Sequence, residues 1–159
     1  MVSKALVDLE KIDLNAEVVS KEEVLKLNAQ RYEFEMIDKV VYLDLEESLA
    51  VGVKKHTDKE FWVRGHIPGR PIMPGVMMIE TAAQLSSIVF HKKLETNGTK
   101  FFGFGGVNNV KFRGSLEPGS TFVMVVKAVK MRSILAVFEA QGYVDGKMVF
   151  EGEITGVII

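Results

Sequence analysis

Residues 76–93, VMMIETAAQLSSIVFHKK, constrain this chain more than any other segment. A run of this length with no proline or glycine is too long for an ordinary strand and makes about five turns of helix. At about 100° per residue, Met77, Met78, Ile79, Ala82, Ala83, Leu85, Ile88, Val89 and Phe90 cover most of its circumference. A helix that is apolar nearly all round is buried by its neighbours rather than laid on a surface. The rest of the chain must supply that cover. Before the helix, YEFEMIDKVVYLDLEE, SLAVGVKKHT and EFWVRG read as three strands. After it, FFGFGGVNNVKFRG, STFVMVVKAVKM, ILAVFEAQGYV and KMVFEGEITGVII read as four more, the last two joined by a type I′ turn at Asp145-Gly146. The terminal GVII is expected to stay in the sheet, since leaving it would expose three aliphatic side chains in a row. Ser20 and Glu23 form a capping-box pattern that predicts a short helix from Lys21 to about Asn28, with Val24, Leu25 and Leu27 as its apolar contacts. One long helix among segregated strands implies an α+β fold, with an antiparallel sheet lying against that helix.

Composition narrows the function classes. At 159 residues, with 47% hydrophobic and 26% charged, the chain is expected to form a single domain, 1–159, in which residues 1–19 have no clear assignment. A formal charge of −1, with no basic cluster interleaved with aromatics, argues against nucleic acid as a partner. The chain has no cysteine, which excludes disulfides and thiolate chemistry and fits a reducing compartment. The opening MVSKALVDLEKIDLNAEVV is interrupted by charges, and no later segment reads as a membrane span. A soluble, cytoplasmic protein with no membrane contact is the expectation. No metal is expected either, since only His56, His66 and His91 are available and they lie far apart in sequence.

The chemistry concentrates in GHIPGRPIMPGVMMIETAAQ, residues 65–84, which holds three of the four prolines. Those prolines restrict φ and stiffen the loop that follows His66, so the imidazole is aimed rather than free. Pro74 suits the first turn of the long helix, and no Ser, Thr, Asp or Asn precedes it as a cap. The N–H groups of Gly75, Val76 and Met77 are therefore expected to face a ligand oxygen with the positive end of the helix behind them. On the helix, Glu80, Gln84, Ser87 and His91 fall on one line. Ser87 and His91 are expected to face solvent or a subunit contact. Glu80, in apolar surroundings, is expected to hold its proton more tightly than an ordinary carboxyl. An aimed imidazole, a carboxylate in an apolar helix and bare backbone donors together suit acid/base chemistry beside a carbonyl.

This stretch resembles the signature of the FabZ-type beta-hydroxyacyl-acyl-carrier-protein dehydratases, and the likeness runs from RYEFEMID to VDGKMVFEGEI, about three quarters of the chain. The resemblance implies a hotdog fold, in which a curved antiparallel sheet wraps one long central helix. It implies dehydration of a 3-hydroxyacyl thioester to the trans-2-enoyl product, without a cofactor. By position, His66 and Glu80 match the family's catalytic pair, Gly75 and Val76 the amides that bind the thioester carbonyl, and Gln84 the glutamine that closes the motif. It further implies a homodimer in which each site combines the histidine of one subunit with the carboxylate of the other, assembly of such dimers into a hexamer, and acyl carrier protein as the partner that presents substrate. Phe61, Trp62, Phe101, Phe102 and Phe104 are candidate walls of an acyl tunnel. Ala29, Gln30, Glu33 and Ile67 depart from the family pattern, and these departures bear on the entrance and on chain length. The rival readings are a hotdog thioesterase and a non-catalytic acyl-binding module.

Overall fold

The computed structural model describes residues 3–159. Helix α1 spans Lys21–Leu27, strands β1 and β2 span Lys39–Asp44 and Leu49–Lys55, and helix α2 spans Gly75–Lys93. Strands β3 (Phe102–Phe112), β4 (Thr121–Met131), β5 (Leu135–Val144) and β6 (Lys147–Ile158) complete a six-stranded sheet in the order β1-β2-β4-β5-β6-β3. Every pair in it is antiparallel. The fold is the hotdog fold, with α2 packed against the inner face of the sheet.

Alternation along β4 shows how the layers are built. Phe122, Met124 and Val126 point to the inner face and share a core with Met78, Ala82, Leu85, Ile88 and Val89 of α2. Val123 and Val125 point the other way, into a second apolar cluster with Val41, Val51, Val53 and Tyr143. That outer cluster is covered by Leu6, Val7, Leu9 and Ile12. Residues 4–12, part of the stretch without a sequence assignment, thus form a strap across the back of the sheet. The carboxamide of Gln141 anchors it, accepting from Leu6 N–H (2.8 Å) and donating to the Lys4 carbonyl (2.8 Å). A strand covered on both faces reads as a continuous apolar run, as β4 does.

Several sequence expectations hold and three do not. The Asp145-Gly146 turn has φ of 50° and 77°, the type I′ requirement, and β6 carries the terminal aliphatics to Ile158. Ser20 caps α1 by accepting from Glu23 N–H (3.2 Å), but the Glu23 carboxylate pairs with Lys92 of α2 instead of closing the capping box. The strand expected from Arg31 begins only at Lys39. Residues Tyr32–Phe34 form a 3₁₀ turn instead, entered through Tyr32 at φ 58°, because Gln84 of α2 takes the backbone groups a strand would have paired. EFWVRG is a chain of turns. Trp62 is buried in the core, and bonds from Val63 N–H to the Glu60 carbonyl (3.1 Å) and from His66 N–H to the Trp62 carbonyl (3.0 Å) curl the segment.

Two buried histidines make the stability of the fold depend on pH on the acid side. His56 is fully buried beside Trp62 and donates from Nδ1 to Glu60 Oε1 (3.0 Å), since a carboxylate can only accept. Burial lowers the pKa of His56 and of His91, and at His56 it outweighs the opposing pull of Glu60. The unfolded chain therefore binds these protons more readily than the folded one, so the stability they contribute is present above the free-histidine value of 6.5 and is lost as pH falls towards their lowered values. Urea midpoints should fall between pH 7.5 and pH 5.5, and a His56→Gln/His91→Gln double variant should show a flatter profile over the same window.

Candidate active site

Two turns and one helix start bring the chemistry-bearing groups into place. The loop after β2 ends at His66, whose side chain is exposed. The turn Ile67–Arg70 is closed by Arg70 N–H donating to the Ile67 carbonyl (2.9 Å) and passes through Gly69 at φ 80°. Its far side is pinned to the connection between β3 and β4 by Met73 N–H donating to the Leu116 carbonyl (2.9 Å). Within this frame His66 Nδ1 lies 2.8 Å from the Ile72 carbonyl oxygen. A carbonyl can only accept, so Nδ1 carries the hydrogen and Nε2 presents its lone pair. The loop therefore fixes the tautomer as well as the direction of the ring.

The start of α2 follows directly. Pro74 is the N-cap (φ −58°, ψ 132°), one position earlier than the first helical turn expected for it, and it offers no capping side chain. Met77 N–H donates back to the Pro74 carbonyl (2.9 Å), which removes it from the three donors expected to be free. Gly75 and Val76 keep their N–H groups without an acceptor among the described residues. The glycine has a packing reason: a Cβ at Gly75 would lie 2.9 Å from the Phe112 ring of β3.

Glu80 lies one turn further on, half-buried. Burial raises its pKa, opposed by the hydrogen bond from Gln84 Nε2 to Glu80 Oε1 (2.8 Å). The same nitrogen donates to the Phe34 carbonyl (2.6 Å), and Gln84 Oε1 accepts from Met36 N–H (3.0 Å). One carboxamide thus ties the 34–36 turn to the helix and holds Glu80 in place. Glu80 Oε2 has no partner among the described residues and stays available.

A cavity of about 60 Å³ opens beside Glu80, walled by Gln84, Ser87, Phe101, Phe102 and Phe104. Of the five aromatic candidates, three are therefore at this cavity. The other two are elsewhere: Trp62 is a core residue, and Phe61 stacks on Phe34 at 6.3 Å. His66 does not line this cavity. Ser87 and His91 are buried, which corrects their expected exposure: the segment running from α1 into the 28–31 turn, together with the 98–102 loop, covers that end of the polar stripe, and His91 bonds Thr96 through Nδ1. Among the described residues no group of three or more His, Cys, Asp or Glu side chains converges as metal ligands, and no helix is long and apolar enough to cross a membrane.

Comparison with known proteins gives a consistent picture. The family model for the FabA-like domain matches residues 28–153. A curated relative from Clostridium botulinum, named 3-hydroxyacyl-[acyl-carrier-protein] dehydratase FabZ, is 38% identical over 136 residues, covering 86% of this chain and 93% of its own. A protein of the same name from Desulfotalea psychrophila is 35% identical over 132 residues, covering 82% and 87%. Among solved structures, the dehydratase heterocomplex ApeI:P from Xenorhabdus doucetiae superposes with a TM-score of 0.72 at 12% identity, over 86% of this chain and 90% of that one. Cj0977, a sigma28-regulated virulence protein from Campylobacter jejuni, superposes with a TM-score of 0.67 at 15% identity, over 93% and 96%.

Proposed function

The chain belongs to the FabA-like family and is a lyase of the 3-hydroxyacyl-acyl-carrier-protein dehydratase kind, and from that premise we propose that His66 and Glu80 are its acid/base pair, with Gly75 and Val76 as the oxyanion donors. The observation that carries this reading is the complementary state of the two side chains. The Ile72 carbonyl leaves the imidazole a free lone pair, while burial favours the protonated form of the carboxyl.

The reaction then divides among these groups. His66 Nε2 removes the proton at C2 of the acyl chain, and the electron pair moves towards the thioester carbonyl. Negative charge grows on the carbonyl oxygen, where the N–H groups of Gly75 and Val76 and the positive end of α2 stabilise it. The pair returns to form the C2–C3 double bond, and the C3 hydroxyl leaves as water with a proton from Glu80. His66 ends protonated and Glu80 ionised, and transfer between them or through solvent resets the site. The products are the trans-2-enoyl thioester and one water. Gln84 holds Glu80 towards the substrate, and Phe101, Phe102 and Phe104 line the way for the acyl chain.

We read the protein as one domain that works in the cytoplasm as a homodimer on acyl groups carried by acyl carrier protein. Two observations support the dimer. β3 is a sheet edge of eleven residues with Phe104, Val107 and Phe112 exposed along it, a long apolar edge of the kind that pairs with another strand. His66 is also absent from the cavity beside Glu80, as expected if each site takes its histidine from the other subunit.

The test is to incubate the protein with 3-hydroxyacyl thioesters on acyl carrier protein and on coenzyme A, following enoyl formation and free thiol together. Enoyl product without thiol is the expected result. Thiol without enoyl would make the protein a thioesterase, and carrier binding with neither product would make it an acyl-binding module.

A further inference from the structure

Helix α2 carries three hydroxyl side chains in its middle, and they behave differently. Thr81 donates to the Met77 carbonyl and Ser86 to the Ala82 carbonyl, each at 2.8 Å, the usual retreat of a helical hydroxyl into its own backbone. Ser87 makes no such bond and has no partner among the described residues, although it is only 9% exposed. It lines the cavity beside Glu80 and also a second cavity, of about 330 Å³, that runs on past His91 and Asn28. The two cavities share Gln30, Ser87, Phe101 and Phe102, so they are adjacent stretches of one groove along the polar stripe of the helix. Asn28, on the wall of the second stretch, is 5% exposed. Its amino group donates to the Gln84 carbonyl (3.0 Å), and its Oδ1 is buried with no partner.

A groove meant for a plain alkyl chain would be apolar to its end. Here an alkyl chain running past Ser87 would bury a hydroxyl without a partner, which costs binding. Resting on the dehydratase reading above, we infer that the preferred acyl chain carries an oxygen function, a hydroxyl or a carboxylate, at its far end, and that Ser87 is the specificity-determining residue that bonds it. Seven residues of helix separate Ser87 from Glu80, which sets the oxygen at about 10 Å from the reacting carbons. Lys100 at the wall of the second cavity favours the carboxylate, whereas Lys26 on the same wall is paired with Glu22 (3.3 Å).

The experiment compares 3-hydroxyacyl thioesters of equal length ending in methyl, hydroxyl or carboxylate. The oxygen-ended substrates should show kcat/KM about tenfold above the methyl-ended one. In Ser87→Ala that preference should collapse to about twofold or less, the oxygen-ended substrates losing kcat/KM and the methyl-ended one gaining it. A Lys100→Gln variant should lower only the carboxylate-ended arm, and its silence would assign the preference to the hydroxyl. The same three chains as saturated acyl-pantetheine thioesters, titrated calorimetrically, read the distal site without any chemistry. If no substrate is dehydrated but the oxygen-ended analogues bind tighter in a Ser87-dependent way, the distal site stands and the dehydratase reading falls. Equal kcat/KM for all three ends, or a methyl preference, would overturn the inference.

Discussion

Replacing His66 by alanine should lower kcat for enoyl formation by about 10²–10⁴-fold, the range a positioned general base contributes. The fold should survive. The side chain is exposed, and its one bond within the chain is the contact from Nδ1 to the Ile72 carbonyl, worth about 1 kcal/mol. His66→Asn separates the two roles, because its amide can still donate to Ile72 but cannot take a proton at C2. Loss of the base predicts the same deficit in both variants, with melting temperature nearly unchanged. If His66→Asn instead retains more than about a tenth of wild-type kcat, the imidazole only shapes the loop and another group removes the proton.

The second large effect is expected at Glu80. Glu80→Gln keeps the shape and an acceptor for Gln84 Nε2 but cannot deliver a proton, so kcat should again fall by about 10²–10⁴-fold. Stability should move the other way. A carboxyl whose pKa is raised in the fold contributes most below its unfolded value, and that contribution is lost as pH rises through the folded value. At neutral pH the glutamine variant should therefore be as stable as the parent or more so, and the difference should vanish in acid. Chemical denaturation at two pH values reads this directly. Equal loss of stability and activity would instead make Glu80 a packing residue.

The two variants together test the shared site. Dissociating and re-pairing an equal mixture of His66→Ala and Glu80→Gln chains makes about half of the dimers mixed, and each mixed dimer has one site with both native groups. About one quarter of wild-type activity should return from two inactive preparations. No recovery, with mixed dimers shown to form, would place both groups of a site in one chain.

Much of this was legible because the signals are local. The long helix α2 is set by its own apolar circumference, and the β5–β6 hairpin by Asp145 and Gly146, which need no distant partner to choose a turn. The proposed acid/base groups lie close together for a related reason. His66, Pro74, Gly75, Glu80 and Gln84 fall within nineteen consecutive residues, so one loop and the first turns of one helix present them all. Three features were not legible. RYEFEMID alternates like a strand, yet the Gln84 carboxamide captures its backbone from across the fold. EFWVRG carries a strand-like composition, but burying Trp62 requires the segment to curl. The stripe of Glu80, Gln84, Ser87 and His91 is readable as a line, while the 28–31 segment that covers its far end comes from more than fifty residues away.

The sequence by itself determined the fold class, the order of most elements, and which side chains could move protons, because periodicity, turn chemistry and side-chain identity act over a few residues. Only the tertiary structure decided the states of those groups. The tautomer of His66 is set by a carbonyl six residues on, the raised pKa of Glu80 by what packs around it, and the bare donors at Gly75 and Val76 by the absence of a cap. The free hydroxyl of Ser87 belongs to the same class, since nothing in its neighbourhood of sequence distinguishes it from Ser86. Protonation, tautomer and hydrogen-bond satisfaction depend on solvent exclusion and on partners brought from elsewhere in the chain, and those exist only once the sheet has closed on the helix.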